Sequence, residues 1–284
     1  METTIRVWRK LTSAKWADAW QERLRFLGEQ RLAFDFLPSG KSMRIEAYNL
    51  TDKEIKLLLK AFGGEEKSMK ASQWLVAPIE ETPPLLIRSQ LVVVHSEKML
   101  DTVRKDYPNR QHLFIPGGIA FGTGEHATTA SCLRLLADFA KQHQNTPWTH
   151  LDLGTGSGIL ALAAVASGAK SSLGTDFDPH AVRTAKTNAK TNQIKHVKFE
   201  LSDVLEWSPP ATFSLVTANL FSEVLIKAQP TIIRALAPGA TLILSGILQS
   251  QCEEVLKKFS SHKKLRHLTT IKKGKWCTLQ FQLH

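Results

Sequence analysis

Apolar residues in the first seventy positions follow two different periods, and together these predict a small α+β unit. Thr12 and Ser13 are suitable helix N-caps, and after them apolar side chains recur at helical spacing up to position 27. This pattern predicts an amphipathic helix, and the segment TTIRVW ahead of it predicts a leading strand. The apolar face of the helix carries Trp16, Trp20, Leu24 and Leu27.

Strict alternation of apolar and polar residues then predicts two strands. The stretches RLAFDFL (31–37) and SMRIEAY (42–48) each point every second side chain to one side, and the turn-forming residues PSG (38–40) lie between them. The two strands should therefore form a hairpin. Their inward positions are Leu32, Phe34, Phe36, Met43, Ile45 and Ala47.

A second helix is predicted in the stretch TDKEIKLLLKAFGG. Thr51 and Glu54 have the spacing of a capping box, and Gly63 and Gly64 end the helical pattern. The resulting order, β-α-β-β-α, is typical of a ferredoxin-like half or whole. The apolar face of this helix holds Ile55, Leu58, Leu59 and Phe62.

Prolines interrupt the pattern at positions 78, 83 and 84, before LLIRSQLVVVH resumes as one or two strands. This break divides the chain. We expect a small N-terminal domain over residues 1–80, a linker over 81–112 and a large domain over 113–284.

From Trp148 onward, predicted strands and helices alternate. Repeated βα units predict a doubly wound, mainly parallel, Rossmann-like α/β sheet that binds ligands at the carboxyl ends of its strands. One helical connection, SEVLIKAQPTIIRALAPG, should be interrupted at Pro230. The predicted strands are THLDL, KSSLGTD, VKFELSD, SLVTAN and ATLILS, and the predicted helices are ILALAAVASG and PHAVRTAKTNAKTN.

Composition places the chain among ordinary globular proteins, with 284 residues, 43% of them hydrophobic and 22% charged. No apolar run approaches the ~20 residues of a membrane span, and METTIRVWRKLTS lacks the apolar centre of a signal peptide. We therefore expect a cytoplasmic protein without a membrane partner. Because Cys132, Cys252 and Cys277 are widely separated, we expect reduced thiols and neither a disulfide framework nor a metal site.

The charge balance is strongly basic, with a formal net charge of +11 and a pI near 9.6. A positive field attracts nucleic acid and nucleoprotein surfaces, so weak contact with such a surface is one interpretation of the clusters KKFSSHKKLRH and IKKGK. An equally weighted interpretation is that these clusters are solvated faces of surface elements.

The glycine-rich segment DLGTGSG, 152–158, follows a predicted strand and precedes a predicted helix, the context in which a ligand approaches the backbone closely. A dinucleotide fingerprint would need glycine at position 159, where this chain has Ile159. A P-loop is excluded because no Gly-Lys-Ser/Thr ends the loop. The sequence therefore gives little reason to expect a pyrophosphate.

Carboxylates end the next two strands. Asp176 can accept hydrogen bonds from both hydroxyls of a ribose, and Asp203 is placed to meet a purine edge. A nucleoside ligand without a pyrophosphate fits S-adenosylmethionine. In the alternative interpretation Asp176 only caps the helix that begins near Pro179, and the glycines only make a tight turn.

The fourth strand runs into Asn219, Leu220 and Phe221. The amide could hold a substrate nitrogen, and the aromatic ring could pack beside the methyl donor. Asn219 could instead be a turn residue. RNA base methylators often carry Asn-Pro-Pro-Tyr/Phe here, and Leu220 disfavours that class; a non-catalytic S-adenosylmethionine-binding module is a further alternative.

The segments GIAFGTGEHATT, LDLGTGSGILALAA, GTDFDPHAV, VTANLF and LILSGIL, in this order, resemble bacterial ribosomal protein L11 methyltransferases of the PrmA type. The resemblance implies a class I methyltransferase domain behind a small substrate-recognition domain, and methyl transfer to lysine side-chain and N-terminal amines. It also implies that the first Gly-Thr-Gly enters a helix whose threonines face the cofactor. The predicted cofactor contacts are Phe121, Thr129, Gly154, Gly156, Asp176, Asp203 and Asn219, with Asn219 also the catalytic residue.

Overall fold

A computed structural model describes residues 4–24, 27, 31–37, 41–48, 50–70, 83–116 and 127–284. The chain forms two compact units, Met1–Glu81 and Thr82–His284. Within the described residues, no helix combines the length and the apolar character that crossing a membrane would require.

The first unit is a four-stranded antiparallel sheet with the strand order β2-β3-β1-β4. Its buried core lies between the sheet and two helices and contains Trp8, Met43, Ile45, Ile55 and Leu58. The elements are β1 (Thr4–Ser13), α1 (Ala17–Leu24), β2 (Leu32–Phe36), β3 (Ser42–Ala47), α2 (Asp52–Phe62) and β4 (Glu65–Lys70).

Most local predictions for this unit are confirmed. The side chain of Thr51 accepts a hydrogen bond from the backbone of Glu54 and Glu54 returns one, so the capping box is present. The exceptions are Trp16 and Phe36, which are exposed rather than inward. The predicted N-caps are also wrong, because Thr12 and Ser13 belong to β1 and the Ser13 side chain makes no capping hydrogen bond. The predicted turn at 38–40 lies outside the described residues. Strand β4, EEKSMK, was not predicted because it lacks apolar alternation, and pairing with β1 forms it.

The stretch expected to be a linker contains a three-stranded sheet, which belongs to the second unit. Its first two strands match the predicted resumption of strand structure in LLIRSQLVVVH. The elements are β5 (Leu85–Ile87), β6 (Leu91–Val94), α3 (Leu100–Asp106) and β7 (Gln111–Phe114).

The main sheet of the second unit has seven strands in the order β10-β9-β8-β11-β12-β14-β13. All neighbours from β10 to β12 are parallel, and β14 runs antiparallel between β12 and β13. The elements are α4 (Ala127–Gln142), β8 (Thr149–Leu153), α5 (Ile159–Ala166), β9 (Ser171–Asp176), α6 (Pro179–Thr191), β10 (Val197–Leu201), β11 (Phe213–Asn219), α7 (Ser222–Arg234), β12 (Leu236–Leu248), α8 (Cys252–Ser260), β13 (Leu265–Lys273) and β14 (Trp276–Leu283).

Separate hydrophobic cores cover the two faces of this sheet. Apolar side chains of α4, α5 and α6 fill one core, and those of α7 and α8 fill the other. The mainly parallel, doubly wound sheet predicted from the βα repeats is therefore confirmed.

Two sequence-based expectations are wrong in the second unit. Helix α7 continues through Pro230, which is exposed, instead of being interrupted there. Cys252 and Cys277 form a disulfide with their Cα atoms 6.1 Å apart, whereas Cys132 is a buried free thiol. The sequence did not indicate this pairing, because the two cysteines are 25 residues apart. The pairing of β12 with β14 brings Cys277 beside the start of α8.

Candidate functional site

A glycine-rich turn joins β8 to α5 at the carboxyl end of the sheet. Gly154 and Gly156 have φ angles of 70° and 53°, a left-handed conformation that strains other residues. A Cβ atom at Gly154 would also overlap the side chain of Leu220. The backbone N–H groups of Gly154 and Thr155 both donate to the carbonyl of Thr175, at 2.9 Å each. The adjacent strand β9 therefore fixes the start of the loop.

Asp176 ends β9 and holds the same loop. Its Oδ2 accepts the Gly156 N–H at 2.9 Å and its Oδ1 accepts the Asp178 N–H at 3.0 Å. The alternative that Asp176 caps the following helix is wrong, because Asp178 caps α6 by accepting the His180 N–H at 2.7 Å. A carboxylate has about four acceptor positions, so Asp176 retains capacity for ligand hydroxyls.

Asp203 lies just past the end of β10 and is exposed. Its Oδ1 accepts the backbone N–H of Leu205 at 2.9 Å. The backbone N–H of Ser202 donates to the carbonyl of Asp176 at 2.8 Å. The predicted purine contact and the predicted ribose contact therefore lie on adjacent strand ends.

Asn219 ends β11 and meets Thr129 of α4. The Asn219 Nδ2 donates to the Thr129 Oγ1 at 3.3 Å, and the hydroxyl side chain is 1% exposed. The Asn219 Oδ1 is buried and has no hydrogen-bond partner among the described residues. An unmatched buried acceptor costs about 1–3 kcal/mol, so this oxygen is a strong candidate for a ligand contact. Asn219 belongs to the strand itself and not to a turn.

Two aromatic side chains are exposed at this edge of the sheet. Phe177 follows β9 and is 76% exposed, and Phe221 follows β11 and is 66% exposed. Strands β9 and β11 flank β8, so these rings lie on both sides of the strand that carries the glycine loop. Large apolar side chains left exposed beside convergent polar groups are typical of a binding edge.

One predicted site residue, Phe121, lies outside the described residues with the rest of the segment 117–126. Four of the six remaining predicted residues form two hydrogen-bonded pairs, Thr129 with Asn219 and Gly156 with Asp176. Gly154 lies against Leu220, the residue after Asn219.

Sequence reasoning missed a buried polar group under the loop. The Asp152 carboxylate accepts the hydroxyls of Thr217 and Thr155, at 2.7 Å each. Burial raises the pKa of Asp152 to about 6, although these hydrogen bonds lower it. Burial also lowers the pKa of His150 to about 3. The signal in the sequence was the presence of His150 and Asp152, two polar residues, inside the predicted strand THLDL.

The arrangement fits a nucleoside ligand better than a metal ion. Within the described part of the chain, no group of three or more His, Cys, Asp or Glu side chains is placed to bind a metal. The loop offers close backbone approach, Asp176 offers acceptor positions, and the Asn219 oxygen lacks a partner among described residues. For S-adenosylmethionine, the loop fits the methionine part, Asp176 fits the ribose, and Asn219 fits the side from which the methyl acceptor approaches.

Comparisons with known proteins agree with this geometry. Residues 29–284 match the family model described as ribosomal protein L11 methyltransferase (PrmA). The ribosomal protein L11 methyltransferase of Agrobacterium fabrum is 38% identical over 237 residues, which cover 80% of this chain and 77% of that protein. The one from Sinorhizobium fredii is 36% identical, over 76% of this chain and 72% of that protein.

A solved structure gives the same indication. The crystal structure of ribosomal protein L11 methylase from Lactobacillus delbrueckii subsp. bulgaricus has a TM-score of 0.60 with this chain at 26% sequence identity. The match covers 72% of this chain and 100% of that one.

Proposed function

Because the chain belongs to the family of ribosomal protein L11 methyltransferases (PrmA), we propose that it methylates amine nitrogens of that ribosomal protein. It is an S-adenosylmethionine-dependent methyltransferase. We assign lysine side-chain and N-terminal amines as the acceptors. The observation that carries this assignment is the buried Asn219 Oδ1, a hydrogen-bond acceptor without a partner among the described residues.

The proposed chemistry requires positioning more than acid–base catalysis. S-adenosylmethionine, when bound, supplies an electrophilic methyl group whose transfer leaves a neutral thioether, so the protein needs no general acid. The Asn219 Oδ1 accepts an N–H of the neutral acceptor amine and so directs the nitrogen lone pair. Thr129 fixes the amide by accepting its N–H. The acceptor ammonium first loses a proton to solvent, and the methylated amine carries the positive charge that leaves the sulfonium. We assign no general base, because orientation alone supplies a large part of such a rate enhancement.

The cofactor residues keep the roles assigned from the sequence. Asp176 accepts the ribose hydroxyls, and Asp203 meets the purine edge. The backbone of Gly154 and Gly156 allows close approach, and Thr129 lines the site from α4. The support for this set is the direct bond between the loop and Asp176 and the adjacency of Asp203.

The acceptor side chain needs an apolar wall as well as a polar anchor. A lysine carries a four-carbon stem that packs favourably against an aromatic ring. Phe221 is exposed two residues after Asn219, and we assign it to this contact. Phe177, beside Asp176, has the matching exposure on the cofactor side.

The first unit, residues 1–80 in our domain assignment, is proposed to select the protein substrate. Its elements follow the order β-α-β-β-α-β with the strand order β2-β3-β1-β4, which supports a ferredoxin-like arrangement. It has a hydrophobic core of its own, which supports a separate role.

Weak contact with ribosomal RNA is a second, lesser proposal. Residues 255–284 contain eight Lys or Arg residues and neither Asp nor Glu. All eight are exposed, on α8, β13 and the adjoining turns. Such a surface binds phosphate backbones without sequence preference, and binding would weaken steeply with salt.

One assay tests the main proposal. The full chain is incubated with labelled S-adenosylmethionine, separated ribosomal proteins and ribosomal RNA, and the label is then located by mass spectrometry. We expect label on amines of ribosomal protein L11. Label on RNA alone, or on no macromolecule, would refute the proposal.

A further inference from the structure

A continuous hydrogen-bonded chain runs beneath the cofactor loop, across three neighbouring strands. It begins at Ser172 on β9, passes through His150 on β8 and Thr217 on β11, and reaches Asp152 and then Thr155 of the loop. Successive distances are 2.9, 3.0, 2.7 and 2.7 Å. All five side chains are buried, with at most 5% exposure.

Counting donors fixes the direction of every bond in this chain. The single hydroxyl proton of Thr217 goes to the Asp152 carboxylate at 2.7 Å, in preference to the Leu151 carbonyl at 3.4 Å. The Thr217 oxygen must then accept from the Nε2–H of His150. The imidazole is neutral, so its Nδ1 accepts the Ser172 hydroxyl. Thr217 therefore requires the Nε2–H tautomer of His150, and Ser172 completes it by donating to Nδ1.

We propose that His150 is a positioning residue for the cofactor loop: it orients the Thr217 hydroxyl, which orients the Asp152 carboxylate, which holds Thr155. This inference rests on the proposed cofactor role of the loop. A simple core histidine would not need to be linked to the loop, whereas each residue in this chain has one partner on either side along the path to Thr155.

The surroundings explain why Asp152 needs this help. Besides His150, which reaches it through Thr217, the titratable groups near it are Asp176, whose charge acts on Asp152, and Cys132, on which Asp152 acts. The Asp176 charge opposes ionisation of Asp152, and burial opposes it further. Burial holds the pKa of Cys132 at about 12, so this thiol stays neutral. Oriented hydroxyls and the backbone N–H of Ala161 are the groups that favour the carboxylate.

The test measures the affinity of the full chain for S-adenosylhomocysteine and S-adenosylmethionine by calorimetry from about pH 5 to pH 8. His150→Leu is expected to weaken binding about tenfold, the upper end of the contribution of one neutral hydrogen bond, and to move the midpoint of the affinity profile to higher pH. His150→Gln is expected to retain most of the affinity, because its amide nitrogen reaches the former Nε2 position. His150→Asn, which reaches only the Nδ1 position, is expected to behave like Leu.

A double-variant cycle separates positioning from general damage to the core. Thr217→Val should weaken binding, and adding His150→Leu should weaken it little further if His150 acts through Thr217. Thr278→Val is the matched control in the same sheet, because it removes a buried hydroxyl whose side-chain partner among the described residues is Ser245, at 2.7 Å.

The outcomes are distinguishable. If the unmodified chain binds neither ligand, the proposed function fails. If it binds and the Gln and Asn variants have equal affinities and unchanged pH profiles, or if the double variant is additive, the role of His150 is refuted. The Gln and Asn comparison decides the matter even where His150→Leu does not fold.

Discussion

Asn219 donates its side-chain amide to the Thr129 hydroxyl, a residue 90 positions earlier in the chain, across 3.3 Å. In this contact the N–H end of the amide is engaged by the protein. The carbonyl oxygen is thereby left as the acceptor for a ligand. Helix α4, which carries Thr129, and strand β11, which ends at Asn219, therefore form one side of the site together.

Variants of Asn219 separate catalysis from cofactor binding. We expect Asn219→Ala to lower the single-turnover methyl-transfer rate by about 10²-fold or more, because a displacement of ~1 Å can have that effect. Asn219→Asp should retain some activity, since a carboxylate accepts the same N–H, and Asn219→Leu should retain almost none. Rates on folded protein are compared with melting temperatures. Normal turnover in Asn219→Ala would remove this residue from the catalytic site.

Asp176 is expected to contribute to cofactor affinity through hydrogen bonds to its charge. Asp176→Ala should weaken S-adenosylmethionine binding by about 1.5–3 kcal/mol. Asp178→Ala is the control, because it removes the α6 cap two residues away and leaves the Asp176 carboxylate in place. Calorimetry that gives equal affinities for the two variants would contradict the assignment.

Gly154 is expected to tolerate no side chain. Gly154→Ala combines a φ of 70° with overlap against Leu220, and it should lower both stability and cofactor affinity. Gly168→Ala is the matched variant, because φ is 101° there but no atom lies within 4 Å of the added Cβ. It should show only the conformational penalty, about 1 kcal/mol. Equal losses of affinity in the two variants would mean that the contact with Leu220 is unimportant.

His150 and Asp152 should oppose each other in the pH dependence of stability. Below about pH 6.5, His150 is protonated in the unfolded chain, whereas in the folded protein its pKa is about 3 and it stays neutral. This residue therefore makes the free energy of unfolding rise with pH. Folded Asp152, with a pKa of about 6, binds a proton that the unfolded group releases above pH 3.8, so it makes stability fall as pH rises.

The variants reveal these two contributions. Between about pH 4 and pH 6, Asp152→Asn should make the free energy of unfolding rise more steeply with pH than in the unmodified chain, by up to ~1.4 kcal/mol per pH unit. His150→Leu should make it rise less steeply. Urea unfolding at several pH values measures both slopes, and unchanged slopes would show that neither group titrates as described.

The N-terminal unit can be tested by removal. A chain beginning at Thr82, the first residue of the second unit, should bind S-adenosylmethionine and lose activity on ribosomal protein L11. A cut near Ser89 would separate β5 from β6, and Thr82 avoids this. Circular dichroism checks that the shortened chain is folded. Full turnover on the protein substrate would refute the recognition role.

Local signals in the sequence predicted much of the fold and part of the site. The capping box at Thr51, the glycine loop and the acid at the end of β9 are each defined by neighbouring residues. The hydrogen bond between His150 and Thr217 depends on strands that are 67 residues apart, and no local pattern encodes it. The same holds for β4 and for the Cys252–Cys277 disulfide, which form only when distant segments pair.

The position of β14 also imposes an order on biosynthesis. Strand β13 is made before β14, yet among the described strands of the finished sheet it pairs only with β14. Until β14 has been translated, one edge of β12 is therefore unpaired and β13 has no strand to pair with. An open edge is a template for pairing with another chain. Lysines are exposed at both ends of β13, and charged side chains beside a sheet edge disfavour edge-to-edge pairing between copies.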